Sequence, residues 1–290
     1  MSYQGTKINP TKFHPSQMKF YAILVPLAFV MMLPIIFIIF HAFKPINELF
    51  AFPPRFLVRR PTFENFEDLI RFAGDSGIPF SRFLFNSLIV TVSVMFLSVF
   101  ISAIAAYALS KMKFKLRATL FEINTIALMF VPLAVQIPRF LVMDESGLMN
   151  TYLAHILPLL SMPIGLFLMK QFIDQVPDEL KEAAVMDGAG EFLVFRKVIL
   201  PVIKPALATV AILAFQAVWG NIETSSYYVN DESLKTVTFF MGTLVSQTGN
   251  TVAGQGMAAA ASLIMFIPNL VIFIFLQSKV MNTMAHSGLK

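Results

Sequence analysis

Residues 175 to 205 read QVPDELKEAAVMDGAGEFLVFRKVILPVIKP, with four acids against one base between Asp178 and Asp187, in a chain that is 57% hydrophobic and only 13% charged. Carboxylates gathered in this way either react with something or sit against something. The parts for a reaction are missing. There is no cysteine to act as nucleophile or thiolate ligand, and none of the 13 glycines leads into Lys within a Walker-type phosphate loop. The GAG at 188–190 lacks the third glycine of a dinucleotide fingerprint and follows a helical pattern, not a strand. His14, His41, His155 and His286 form no HExxH or i, i+4 pair, so no metal site is expected. No pair of acids in the apolar runs suggests hydrolysis there. What remains is docking, or an idle surface.

The local pattern fits docking. Pro177 suits a first helical position, Asp178 and Glu179 put negative charge on the positive end of the helix dipole, and Gly188 can take the left-handed conformation that closes a helix. Gly190 then reopens the chain, and Glu191 to Leu200 is expected as a second helix that Pro201 stops. Leu180, Ala183, Ala184 and Asp187 share one face at three to four residue spacing, and the two alanines keep that face slim enough for a groove. A helix lying on lipid headgroups would show Lys and Arg instead, and an acidic one is repelled by an anionic leaflet. The expected partner is protein.

The elements that position this segment belong to lipid. With 31 Phe and 17 Met in 290 residues and a mean hydropathy of +0.72, the polar surface is too small for a water-soluble globule. Runs of about twenty apolar residues predict spans over 21–41, 84–109, 118–142, 150–168, 206–222 and 257–277. The first run ends in FHAFKP and not in a cleavage site, so it is expected to be retained. The fold class is therefore all-α, a polytopic membrane protein with six spanning helices. Prolines 34, 132, 158, 163 and 268 fall inside the spans, as kinks beside a path or simply as the commoner proline of membrane helices. Glu122 and Arg139 are placed to reach an interface, so no buried ion relay is expected.

Basic residues beside the spans set the orientation. Ser110 to Arg117, SKMKFKLR, holds four bases and no acid, whereas Met143 to Met149 holds two acids and no base. With both termini inside, the inner segments carry 14 bases and the outer ones eight, six of them in the long, acid-interleaved stretch from Lys44 to Arg82. Both termini are thus expected to be cytoplasmic. Residues 1–20 form an N-terminal segment and 21–290 a single transmembrane domain, with a cytoplasmic loop at 173–205 and outer loops at 43–81, 143–149 and 223–256. FENFEDLIRF in the first outer loop predicts a short amphipathic helix. The net charge of +5 is accounted for by topology, and no nucleic acid is expected as a partner.

The spacing Glu182-Ala183-Ala184, Gly188, Val198 and Leu200-Pro201 resembles the signature of membrane subunits of bacterial ATP-binding-cassette importers. FNSLIV and AAYALSKMKFK at the ends of the second span, GLMNTYLAHILP and ILPVIKPALAT agree with it, and the chain is most similar to the second permease subunit of maltose-type systems. The resemblance runs from about residue 20 to the C-terminus. It implies the type I importer permease fold, with Glu182, Ala183, Ala184, Asp187, Gly188, Leu200 and Pro201 coupling to a cytoplasmic ATPase. It also implies a homologous second permease, two ATPase subunits that hold ATP and Mg while this chain carries no cofactor, an extracytoplasmic solute-binding protein, and a bacterial inner membrane location. The tail HSGLK is implied to reach the ATPase. Two departures stand: Val198 replaces the usual isoleucine, and Gly220 is inserted before Asn221 in WGNIETSSYY.

A sugar needs aromatic faces and amide or hydroxyl donors. Gln216, Trp219 and Asn221 supply these at the end of the fifth span, though the single Trp suits an interfacial anchor as well. Tyr227 and Tyr228 are candidates for touching a binding protein. A stand-alone secondary transporter is the competing class. It would call for internal repeats or ionisable groups at the membrane midplane, and the sequence displays neither.

Overall fold

The computed structural model describes residues 15–75, 77–249 and 251–287, and among these residues there are helices and no strand. Residues 1–14 of the expected N-terminal segment and the side chains of the tail HSGLK lie outside the described residues. The chain divides into two compact units.

The first unit comprises residues up to Leu69 together with Val245–Leu263. Its α1, Met18–Ala42, has 25 residues, about 37 Å at 1.5 Å per residue and enough for a hydrocarbon layer. Ile23 and Met31 are about 70% exposed, as apolar side chains are along most of α1, so its surface is left for lipid or another chain. The short α2, Ile46–Leu49, and α3, Glu64–Asp75, follow. In α3 Asn65 and Leu69 are buried while Glu64, Glu67 and Asp68 are exposed, which is the amphipathic helix expected in FENFEDLIRF.

The second unit, Ile70–Leu244 with Ile264 onward, is organised along α4, Phe80–Lys111. Val90, Val94, Ser98, Ser102, Ala106 and Ser110 recur at about one helical turn and bury one stripe of it. Next come α5, Arg117–Ala127, α6, Gln136–Glu145, α7, Tyr152–Leu160, and α8, Pro163–Asp174. Residues 175–205 supply α9, Asp178–Met186, α10, Glu191–Val194, and α11, Leu200–Val202. The unit is completed by α12, Lys204–Trp219, α13, Glu223–Tyr227, and parts of α14, Val237–Thr248, and α15, Val252–Ser287.

Small residues bring α4, α8 and α12 together, as close packing in lipid requires. A Cβ on Gly165 of α8 would stand 3.0 Å from both Ser102 Oγ and Val210 Cγ1, so nothing larger than glycine fits without displacement. The core around this crossing, with Ala103, Ala106, Met169, Ile173, Ala206 and Val210, also takes in Val194, Phe195 and Ile199 of the 175–205 segment.

Among the described residues four helices are long and apolar enough to cross a membrane, or up to six where each of two bent pairs counts as one span, so the chain is a multi-pass membrane protein. The expected third span over 118–142 is not continuous: α5 and the stretch Pro132–Glu145 meet at 107°. The expected fourth, 150–168, bends by 45° between α7 and α8 and runs on to Asp174. One cause serves both breaks. Proline pushes the preceding residue out of the helical region, and Val131 (ψ 129°) and Met162 (ψ 77°) precede Pro132 and Pro163. Pro34, Pro158 and Pro268 sit inside helices. The α8 end beyond residue 168 closes on a Lys170–Asp174 ion pair of 2.6 Å one turn apart.

Candidate functional site

The first helix of the 175–205 segment forms as its residues dictate. Pro177, at ψ 138°, is the cap and not the first helical residue, and Asp178 and Glu179 occupy the first turn. At the other end Gly188 takes φ +82°. Its N–H donates to Val185 O at 2.9 Å and the Ala189 N–H to Ala184 O at 2.9 Å, the paired bonds of a Schellman closure. The two alanines divide their roles. Ala184 packs on the core below, whereas Ala183 joins Glu182, Asp187 and Gly188 on the exposed side. Leu180, Val185, Met186 and Phe192 are exposed beside them, Met186 at 87%.

The second helix departs from expectation. Instead of one helix from Glu191 stopped by Pro201, α10 is followed by a π-helical stretch, Phe195–Ile199, and helical turns run through Pro201 to Val202. Phe195 and Ile199, at the two ends of the π stretch, are both buried, and Pro201 opens a short α11 where its missing N–H costs nothing. Leu200 and Val198 are half-buried against the same core, so a valine at 198 still fills its place.

Ionic contacts fasten this joint to the end of α4. Lys111 Nζ donates to Val176 O at 2.6 Å and pairs with Asp178 at 2.5 Å. Lys181 Nζ reaches back to Lys111 O at 2.9 Å and pairs with Glu191 at 2.9 Å. Glu191 also accepts a 2.5 Å bond from the hydroxyl of Tyr107, whose ring lies 5.3 Å from that of Phe195. The Tyr107 hydroxyl and Lys181 hold the Glu191 carboxyl below the usual carboxylate range, and Lys111 does the same for Asp178. Between the joint and the 110–117 loop is a cleft of about 530 Å³ whose lining includes Lys113, Arg117, Lys181 and Glu182. The arrangement has no nucleophile–base pair. It is joined to α4 by the Lys111–Asp178 pair and the Lys181 bond to Lys111 O and packs on α8 and α12, an arrangement suited to passing on a displacement of α9.

The other end of α4 holds a second polar cluster. Asn86 Nδ2 donates to Ser233 O at 2.8 Å and Lys235 O at 2.9 Å, while its Oδ1 accepts from Tyr152 at 2.7 Å. Ser87 accepts the Val237 N–H at 2.7 Å. His155, wholly buried, lies 2.9 Å from Thr224 Oγ1 and 3.1 Å from Leu234 O, a structural role and not a ligand's. Arg139 pairs with Glu223 at 3.3 Å, and both side chains stay partly exposed.

The sugar candidates separate. Gln216 is exposed on α12. Trp219 is only 8% exposed, stacks on Phe215 at 5.8 Å and donates its indole N–H to Met265 O at 3.0 Å, which makes it neither an interfacial anchor nor a platform open to a ligand. Asn221 accepts from the Thr224 N–H at 3.0 Å and its hydroxyl at 2.8 Å, the work of a helix cap before α13. Tyr227 is half-exposed, whereas Tyr228 is buried beside Met143, Ala154 and Val229 and has no surface to offer a partner. Sequence reasoning missed Tyr107, Lys111, Lys181 and Glu191 as one cluster. The bases of SKMKFKLR count toward topology, and nothing in the linear order pairs residue 111 with residue 178.

Residues 98–278 match the family described as binding-protein-dependent transport system inner membrane component. An arabinooligosaccharides transport system permease protein of Halalkalibacterium halodurans is 29% identical over 264 residues, 91% of this chain and 93% of the relative. A probable ABC transporter permease protein of Bacillus subtilis is 31% identical over 240 residues, 81% of this chain and 78% of the relative. Among solved structures, a bacterial ABC transporter involved in the import of the acidic polysaccharide alginate superposes with a TM-score of 0.77 at 20% identity, covering 93% of this chain and 99% of the matched chain. The fold is that of an ABC importer permease, and the chain belongs to the family of binding-protein-dependent transport system inner membrane components.

Proposed function

We propose that this chain is one half of the translocation path of an ATP-driven importer for a sugar or oligosaccharide, paired with a homologous permease in a bacterial inner membrane. Both termini and the 173–205 loop face the cytoplasm, where two ATPase subunits bind ATP and Mg; this chain supplies neither hydrolysis nor a cofactor. An extracytoplasmic binding protein delivers the substrate, with Tyr227 as the residue of the YY pair open to it. Gln216 faces the path. The substrate class is supported by the arabinooligosaccharide relative.

The observation that carries the reading is the joint itself: a slim, exposed face of Glu182, Ala183, Asp187 and Gly188 on a helix tied to α4 by the Lys111–Asp178 ion pair and the Lys181 bond to Lys111 O, and to α10 by the Lys181–Glu191 pair. ATP acts here by favouring closed ATPases, and moving a transporter from 1:99 to 99:1 takes about 5.5 kcal/mol of differential affinity. A joint with slack would dissipate that. Co-purification tests the proposal: the tagged chain should bring down a second permease and an ATPase and give ATP-dependent uptake in liposomes. Uptake by the chain alone without ATP would mark a secondary transporter instead.

A further inference from the structure

We infer that residues 46–63 form an anchor on the membrane surface, built to hold acidic phospholipid headgroups. The segment begins at the end of α1 and cannot leave it. Asn65 Nδ2 donates to Ala42 O at 3.0 Å and Lys44 O at 2.7 Å, and the Thr62 N–H reaches Phe43 O at 2.9 Å, so both ends of the loop are tied to the point where α1 stops. Because α1 is a spanning helix, that point is the level of the lipid headgroups.

The loop is also held in shape. Buried Lys44 donates to Arg55 O, and the Glu48 carboxylate accepts the backbone N–H groups of Arg59 at 3.0 Å and Arg60 at 2.9 Å. These backbone bonds hold the Glu48 carboxyl below its ordinary range. The carboxylate is held by the loop's own amides and also feels the charges of Lys44 and Arg55, which leaves the Arg59 and Arg60 guanidiniums outside its influence. Arg55, Arg59 and Arg60 are left exposed, and no described side chain forms an ion pair with them. Between them stand apolar side chains facing outward: Phe50 at 61%, Phe52 at 95% and Leu57 at 59%. The nearest acids of this unit, Glu64, Glu67 and Asp68, are on α3, outside the loop. Water rejects such rings and a headgroup layer accepts them, while a guanidinium fork matches phosphate oxygens two at a time. Interleaved Phe and Arg at headgroup height therefore select a lipid surface.

The test places a nitroxide on Phe52→Cys, with Phe50→Cys as a second site, in the full chain reconstituted into vesicles of phosphatidylcholine with or without phosphatidylglycerol. Oxygen collisions should dominate over those of a water-soluble nickel chelate, more strongly with phosphatidylglycerol present. Arg59→Ser with Arg60→Ser keeps the backbone amides that Glu48 holds. It should weaken the phosphatidylglycerol response by about fivefold for each guanidinium lost. Nickel collisions dominating at both sites, no effect of the arginine substitutions, or shielding that appears only when a soluble binding protein is added would each overturn the inference.

Discussion

Replacing Gly188 separates the conformational part of the joint from its surface. The residue holds φ +82°, and a Cβ there meets nothing within 4 Å. An L-residue forced into this region costs about 1–2 kcal/mol, so Gly188→Ala should shift the balance between closed and open hinge by about five- to thirty-fold. The two Schellman bonds and the ion pairs remain to hold it closed. Gly188→Pro is different in kind. Its φ is locked near −65°, far from the observed angle, and it deletes the N–H bonded to Val185 O, a further loss of about 1 kcal/mol. The assay is ATP hydrolysis and sugar uptake measured together in proteoliposomes of the assembled transporter. The alanine variant should remain coupled with a slightly lowered melting temperature, while the proline variant should insert, hydrolyse ATP and fail to transport. Normal uptake by Gly188→Pro refutes the hinge. Equal failure of the alanine variant refutes the backbone reasoning, since the penalty would then be steric and come from a partner filling the space beside residue 188.

Three further outcomes follow from the geometry. Glu191→Gln should loosen the joint and lower ATP-driven uptake, and exchanging the charges as Lys181→Glu with Glu191→Lys should restore part of it. Because the Glu191 carboxyl is depressed, its contribution is complete above the ordinary carboxylate value of about 4.3 and is lost as pH falls through the depressed one. Melting curves of wild type and Glu191→Gln should therefore converge only in that acid range. Asn86→Ala strands two carbonyls and the Tyr152 hydroxyl, at about 1–3 kcal/mol, read as a lower melting temperature of the purified chain. Trp219 is the single tryptophan, so the intrinsic fluorescence should be nearly insensitive to acrylamide in the aqueous phase; strong quenching would place the ring at the surface after all.

What the linear order made legible was what depends on neighbours in sequence. Apolar windows located the helices, Gly188 announced its left-handed closure, and Asp178 and Glu179 announced the first turn of α9. The bends at Pro132 and Pro163 were harder to read. Proline in lipid can kink, break or be absorbed, as Pro34 is within α1, and the choice depends on helices packed from elsewhere. The same limit hid the pairings of Lys111 with Asp178 and Tyr107 with Glu191, made across 67 and 84 positions. It misplaced Trp219 too: its ring type suited a surface, but the carbonyl of Met265 waits for its N–H inside the bundle.

The chain contains no cysteine, so Met186→Cys, at the most exposed apolar side chain of α9, introduces a single reactive thiol on the joint. Cross-linking it in membranes that contain the assembled transporter should give one adduct, this chain joined to an ATPase subunit, and the thiol should be silent toward membrane-impermeant maleimide added to intact cells. A thiol labelled from outside, or one that finds no ATPase within reach, would contradict the account.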